Sequence, residues 1–187
     1  KNSLVMKRFG SEIQKQITYN LFNNTGVSWS PKGDAIIYSA QTGRGSEVIW
    51  QGFIPLRLKS KSIYFTEGSG SSATWGNNGK IYLAKYAGDK NTDLYEYTLV
   101  SGGTGPSLEM SRKLTKHMAI ETEPAFSPDG KKLAYISDRT GTPQVYLLNL
   151  STKKSTRLTK KGNYNSSPSW SPDGTMIAYN GVRNSKS

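Results

Sequence analysis

One phrase recurs four times along this chain, and that recurrence limits the fold more than any other feature. It reads V-S-W-S-P-K-G-D-A-I-I-Y at 27–38, A-T-W-G-N-N-G-K-I-Y-L at 73–83, P-A-F-S-P-D-G-K-K-L-A-Y at 124–135 and P-S-W-S-P-D-G-T-M-I-A-Y at 168–179. Each copy carries an aromatic anchor, Trp29, Trp75, Phe126 or Trp170, and the anchors are 46, 51 and 44 residues apart. A second element keeps step with the first. Thr18, Thr115 and Thr159, each after Ile or Leu, fall 11 residues before an anchor, and Tyr64, after Ile63, holds the same place before Trp75.

Within a repeat the residues predict four short strands. In the third, Pro124–Phe126 is a short strand, and Ser127-Pro128-Asp129-Gly130 is a turn. In that turn Pro presets φ, Asp bonds its own backbone and Gly supplies positive φ. Lys132–Ser137 alternates as a second strand, and Asp138–Pro143 turns again. Gln144–Leu150, Q-V-Y-L-L-N-L, is so apolar that both its faces should be covered. Ser155–Thr159 follows as an outer strand. One such sheet cannot bury two apolar faces alone, so neighbouring copies must cover them. The expected fold is therefore all-β, a β-propeller of four-stranded antiparallel blades, with the anchors packed between blades. Residues 1–19 supply outer strands of a split blade; 26–64, 71–115 and 123–159 are full blades; 167–187 supply inner strands of a split blade. By register Lys1 corresponds to Thr142 and Ser187 to Pro143. We therefore expect part of a larger propeller, or a small ring closed by pairing of the chain ends or by self-association of two chains. The second copy departs from the pattern at Gly76-Asn77-Asn78-Gly79, and its Gly/Ser/Pro-rich stretch 100–110 reads as a surface loop.

Composition narrows the chemistry. With no cysteine, disulfides, thiolate metal sites and cysteine nucleophiles are excluded. A net charge of +12 first suggests nucleic acid, but the charge is spread. Residues 1–94 hold 12 basic and 6 acidic side chains, residues 95–187 hold 13 and 7, and no run of five like charges occurs. A solvated basic surface is the better reading, with no nucleic-acid partner. Apolar runs are too short for a membrane-spanning helix, so no membrane insertion is expected. His117, the sole histidine, sits in a Lys- and Met-flanked stretch after an outer strand and reads as a solvated loop residue rather than a triad base, and one His without Cys argues against a His-rich metal centre. Gly70-Ser71-Ser72-Ala73-Thr74 lacks the closing Gly of a nucleophile elbow. We expect no enzyme, no catalytic residue and no cofactor. Oxygen-ligated Ca²⁺ stays open through Asp129, Asp138 and Asp173, although these residues suit turns better.

The phrase P-x-[WF]-S-P-D-G-x-x-[IL]-A-Y, followed by S-D-R-x-G-x-P-x-[VI]-Y-x-L-x-L and R-L-T, resembles the repeat of the TolB-like β-propeller family. Residues 123–159 match it nearly throughout, 167–179 match its first half, and 26–64 and 71–115 match more loosely. The resemblance implies a periplasmic, non-enzymatic scaffold of the Tol-Pal system. It also implies a Pal-like envelope lipoprotein as protein partner, bound at one mouth of the propeller. Family contacts lie in loops entering the innermost strands, and Thr122 and Glu123 match that wording. The loops 24–26, 70–72 and 165–167 correspond by register, making Asn24, Thr25, Ser71, Ser72, Asn165 and Ser166 the other candidates. Similar repeats occur in substrate-gating propellers of prolyl-oligopeptidase-like hydrolases, and a carbohydrate-binding propeller is a third reading.

Overall fold

The computed structural model describes residues 3–7, 9–10, 12, 14–18, 23–42, 45–54, 57–63, 70–88, 91–102 and 105–182. Lys1, Tyr64 and Ser187, used in the register argument, lie outside these residues. Among the described residues the chain forms sixteen strands and no helix. The first pair is β1 (Val5–Lys7) and β2 (Gln14–Gln16). Three full sheets follow: β3 (Asn23–Trp29), β4 (Ala35–Thr42), β5 (Gly45–Ile54) and β6 (Arg57–Ile63); β7 (Gly70–Trp75), β8 (Lys80–Gly88), β9 (Asn91–Gly102) and β10 (Gly105–Lys113); β11 (Glu121–Phe126), β12 (Lys132–Ser137), β13 (Gln144–Asn149) and β14 (Ser155–Arg157). The last pair is β15 (Tyr164–Trp170) and β16 (Ile177–Val182). Each full sheet is a four-stranded antiparallel meander in chain order, with no crossover.

Each repeat signal has a local cause. In the turn after Phe126, the Ser127 hydroxyl donates to Asp129 Oδ1 at 2.6 Å and accepts the Lys132 N–H at 2.9 Å. Asp129 Oδ1 also accepts the Lys131 N–H at 3.0 Å, and Gly130 sits at φ +74°. Ser171 and Asp173 repeat this after Trp170, with a hydroxyl-to-carboxylate distance of 2.5 Å. In both turns the serine hydroxyl, then a backbone N–H, holds the aspartate below its ordinary value of 3.8. The recurrent threonine is equally concrete. The hydroxyls of Thr18, Thr115 and Thr159, all buried, accept the N–H of Leu4, Leu94 and Val145 at 2.9, 2.9 and 3.0 Å. Each ties the end of an outer strand to the start of the strand beside it.

Apolar residues gather between consecutive sheets. Ile17, Ile36, Tyr38, Ala40 and Ile49, with Leu4 and Met6, fill the space between β1–β2 and the first full sheet. Ile37, Val48, Ala73, Ile81, Leu83 and Tyr97 fill the next, backed by Trp50 and Trp75. Tyr82, Leu94, Leu133, Tyr135, Tyr146 and Leu148 fill the third, with Phe126 against them. Both faces of β13 are buried, because β12 and β14 flank it while sheets cover it above and below.

Two expectations need correction. Within the stretch 100–110 the described residues, 100–102 and 105–110, are strand rather than loop: they belong to β9 and β10, which pair Pro106 with Ser101 and Leu108 with Leu99. The apolar faces of Leu99 and Leu108 join the core beside Trp75, which favours extending the ladder. The anchors Trp75, Phe126 and Trp170 each contact the sheet before them, as expected, but Trp29, preceded only by the β1–β2 pair, is 51% exposed. At the other end β16 is exposed almost throughout, with Tyr179 at 42%, whereas its counterpart Tyr135 is fully buried. Among the described residues no sheet joins β1–β2 to β15–β16, so the arc is open.

A candidate partner-binding mouth

The innermost strands β3, β7, β11 and β15 stand side by side around one channel. Each is kinked at the same repeat position. The ladder breaks between Thr25 and Ser28, Ser71 and Thr74, Thr122 and Ala125, and Ser166 and Ser169. Within each break one residue, three before the anchor, takes left-handed backbone: Gly26 (φ +62°), Ser72 (+50°), Glu123 (+51°) and Ser167 (+52°). Left-handed backbone costs a residue other than glycine roughly 1 kcal/mol, so three such residues at one repeat position are held there by their surroundings. The bulge twists the strand and re-aims its side chains toward the channel.

The bulges converge on a cleft of about 360 Å³ lined by Thr25, Gly26, Ser72, Glu123, Pro124 and Ser167, among others. A deeper space of about 480 Å³ continues past Val27, Phe126 and Trp170. Hydrogen bonds link one bulge to the next. Glu123 Oε2 accepts the N–H of Ser167, and Thr122 Oγ1 donates to Ser72 Oγ at 3.4 Å. Deeper down, the Trp75 N–H donates to Ser28 Oγ at 2.9 Å, and Trp170 Nε1 donates to the Ala125 carbonyl at 2.9 Å. The mouth is thus a polar rim whose single charged side chain among the described residues, the Glu123 carboxylate, already bridges two sheets.

Of the candidate residues, Thr25, Ser72 and Glu123 line the cleft, and Thr122 supports it. Ser71 and Ser166 are half-buried and pair with Ala84 and Asn180 just before the bulge. The Asn24 backbone pairs with Ala40. Asn165 faces inward instead. It is 1% exposed, and its amide donates to Gln144 Oε1 at 2.9 Å and to the Lys161 carbonyl at 3.2 Å. Gln144 Oε1 takes a further bond from Thr159 Oγ1 at 2.8 Å. Gln144→Ala is expected to strip this network of its acceptor and to lower stability by about 1–3 kcal/mol in urea denaturation. Pro124 and Pro168 line the mouth too and were missed, although both sit two residues before an anchor. His117 lines a separate cleft between the second and third sheets. Asp138, the third aspartate considered for Ca²⁺, accepts the Ile120 N–H through Oδ1 at 2.8 Å, and no group of three or more acids or histidines gathers among the described residues.

Four-stranded meanders that stack face to face, with their first strands around one channel, define a β-propeller. The family model described as the TolB beta propeller domain matches residues 58–187, and the chain belongs to that family. The chain is 33% identical over 123 residues to the Tol-Pal system protein TolB of Bordetella pertussis, covering 66% of this chain and 26% of that protein. It is 24% identical over 153 residues to the Tol-Pal system protein TolB of Helicobacter pylori, covering 82% and 35%. The solved TolB of Acinetobacter baumannii superposes with a TM-score of 0.77 at 22% identity, over 97% of this chain and 43% of that one, a likeness of fold. The chain thus spans about a third or less of the two sequence relatives.

Proposed function

We propose that this chain is a protein-binding propeller module of a Tol-Pal-type system, non-enzymatic and acting in the periplasm. Its partner is a Pal-like lipoprotein docked on the mouth formed by β3, β7, β11 and β15. The observation that carries this reading is the bulge repeated at Gly26, Ser72, Glu123 and Ser167. Left-handed backbone recurs at one position in four consecutive repeats, three times at a residue other than glycine, and it shapes the mouth while the apolar interfaces between sheets lie deeper. The family membership supplies the class of partner. A rim whose one charged side chain among the described residues is the bridging Glu123 suits a surface that offers hydrogen-bond donors and acceptors rather than a large opposite charge.

The test is capture of a purified Pal-like lipoprotein, followed by titration. Glu123→Ala frees the Ser167 N–H and relaxes the rim, and is expected to weaken binding about tenfold or more. Glu109→Ala, on the outer strand β10, should leave binding unchanged. No capture by the unaltered chain, or equal affinity for both variants, would count against the proposal.

A further inference from the structure

The interface between the second and third sheets holds two fully buried carboxylates where the next interface holds two amides. Asp93 opens β9 at the repeat position of Gln144, 18 residues after its anchor, and Glu121 opens β11 at the position of Asn165, five before its anchor. A parallel bridge between Thr92 and Ile120 sets the two acids beside each other, and both are 0% exposed. In the amide version the bond from Asn165 Nδ2 to Gln144 Oε1, 2.9 Å, closes the interface. Two ionised acids cannot make that bond, since neither has a proton to donate.

The surroundings leave that position open. Glu121 Oε1 is paired with the Arg139 guanidinium, which lies 4.5 Å over the Tyr146 ring and donates to Tyr135 Oη at 2.8 Å. Asp93 Oδ2 is paired with Lys113 Nζ at 2.6 Å, and Asp93 Oδ1 accepts the His117 N–H at 3.3 Å. Glu121 Oε2 is buried and has no hydrogen-bond partner. The other charged or titratable groups facing Glu121 line its cleft: Lys116, His117 and Lys153. Two acids against Arg139 and Lys113 carry no excess negative charge to hold a divalent cation, whereas a proton on the unpartnered Glu121 Oε2 gives that buried atom a bond to donate.

We propose that Glu121 carries a proton inside this interface and donates it to Asp93, restoring the bond that Asn165 makes to Gln144. The second and third sheets are thereby joined by a latch that loosens as the pH rises. Burial, partly opposed by the Thr115 hydroxyl and Arg139 and reinforced by Asp93, holds the Glu121 carboxyl above its ordinary value of 4.5. A group raised in the folded state contributes stability that is complete below 4.5 and is lost as the pH climbs through the folded value.

The test compares thermal unfolding of the unaltered chain, Glu121→Gln and Gln144→Ala at pH 4.5 and pH 8. Glu121→Gln supplies a permanent donor. It is expected to raise Tm by about 3 °C at pH 8 and to change it by less than about 1 °C at pH 4.5. Gln144→Ala, which disrupts the amide version of the interface, should lower Tm equally at both. If Glu121→Gln gains no more at pH 8 than at pH 4.5, the latch is wrong. A second readout needs no variant: the side-chain carboxyl ¹³C titration of Glu121 in the unaltered protein. A midpoint above 4.5 supports the proposal, and a midpoint at or below 4.5 overturns it.

Discussion

Phe126→Ala is expected to lower stability by about 3 kcal/mol, or roughly 6–12 °C in Tm. The Phe126 ring stacks on Tyr82 of the preceding sheet at 4.7 Å between centroids and 19° between planes. It closes the cluster of Leu94, Leu133 and Leu148 from the channel side. Removing it deletes a large apolar surface and leaves Tyr82, whose buried phenol is pushed up to about 12, with an open face. Trp29→Ala is the matched comparison, because Trp29 holds the same repeat position with half its surface in solvent. Its expected loss is about 1 kcal/mol. Equal losses for the two variants, measured by urea denaturation, would refute the assignment of Phe126 to an inter-sheet core.

Gly76→Ser is expected to destabilise by about 2–3 kcal/mol, although serine stands at that position in the other three repeats. A Cβ at Gly76 would meet Asn78 Oδ1 at 2.7 Å, Tyr82 Cε2 at 2.9 Å and Phe126 Cδ1 at 3.0 Å. The crowding has a cause one strand away. Tyr82 pairs opposite Thr74, the place held by Ala134 opposite Ala125 and by Ala178 opposite Ser169. The larger ring takes the room that a serine side chain uses elsewhere. Asn78 then replaces the missing Ser–Asp pair, accepting the Lys80 N–H at 3.0 Å and donating to Tyr82 Oη at 2.9 Å. Gly76→Ser and Tyr82→Ala should therefore couple, the double variant being more stable than the sum of the single effects by about 1 kcal/mol or more. Additive losses would show that Tyr82 is not what requires glycine at 76.

The repeat phrase alone carried the architecture. Proline, aspartate and glycine at fixed offsets impose turns locally, and the alternation in Lys132–Ser137 and the apolar run Gln144–Leu150 specify strands covered on both faces. Even the recurrent threonine was visible as a spacing, although its role as acceptor for the neighbouring strand was not. The candidate mouth was legible in part. Thr122 and Glu123 came from the family resemblance and Thr25 and Ser72 from register, whereas Asn165, chosen by the same register, faces inward. Residues adjacent in a strand point to opposite faces, and the bulge moves that alternation by one residue.

Local chemistry therefore determined the strand count per repeat, the turns and the order of pairing, because these depend on residues close in sequence. Three things waited for the packing of one sheet on another. They are the glycine at 76, the open arc that exposes Trp29 and Tyr179, and the meeting of Asp93 with Glu121. Each joins residues of different repeats, or a residue to solvent where a neighbouring sheet would lie, and a repeat phrase carries no information about which side chains its copies bring face to face.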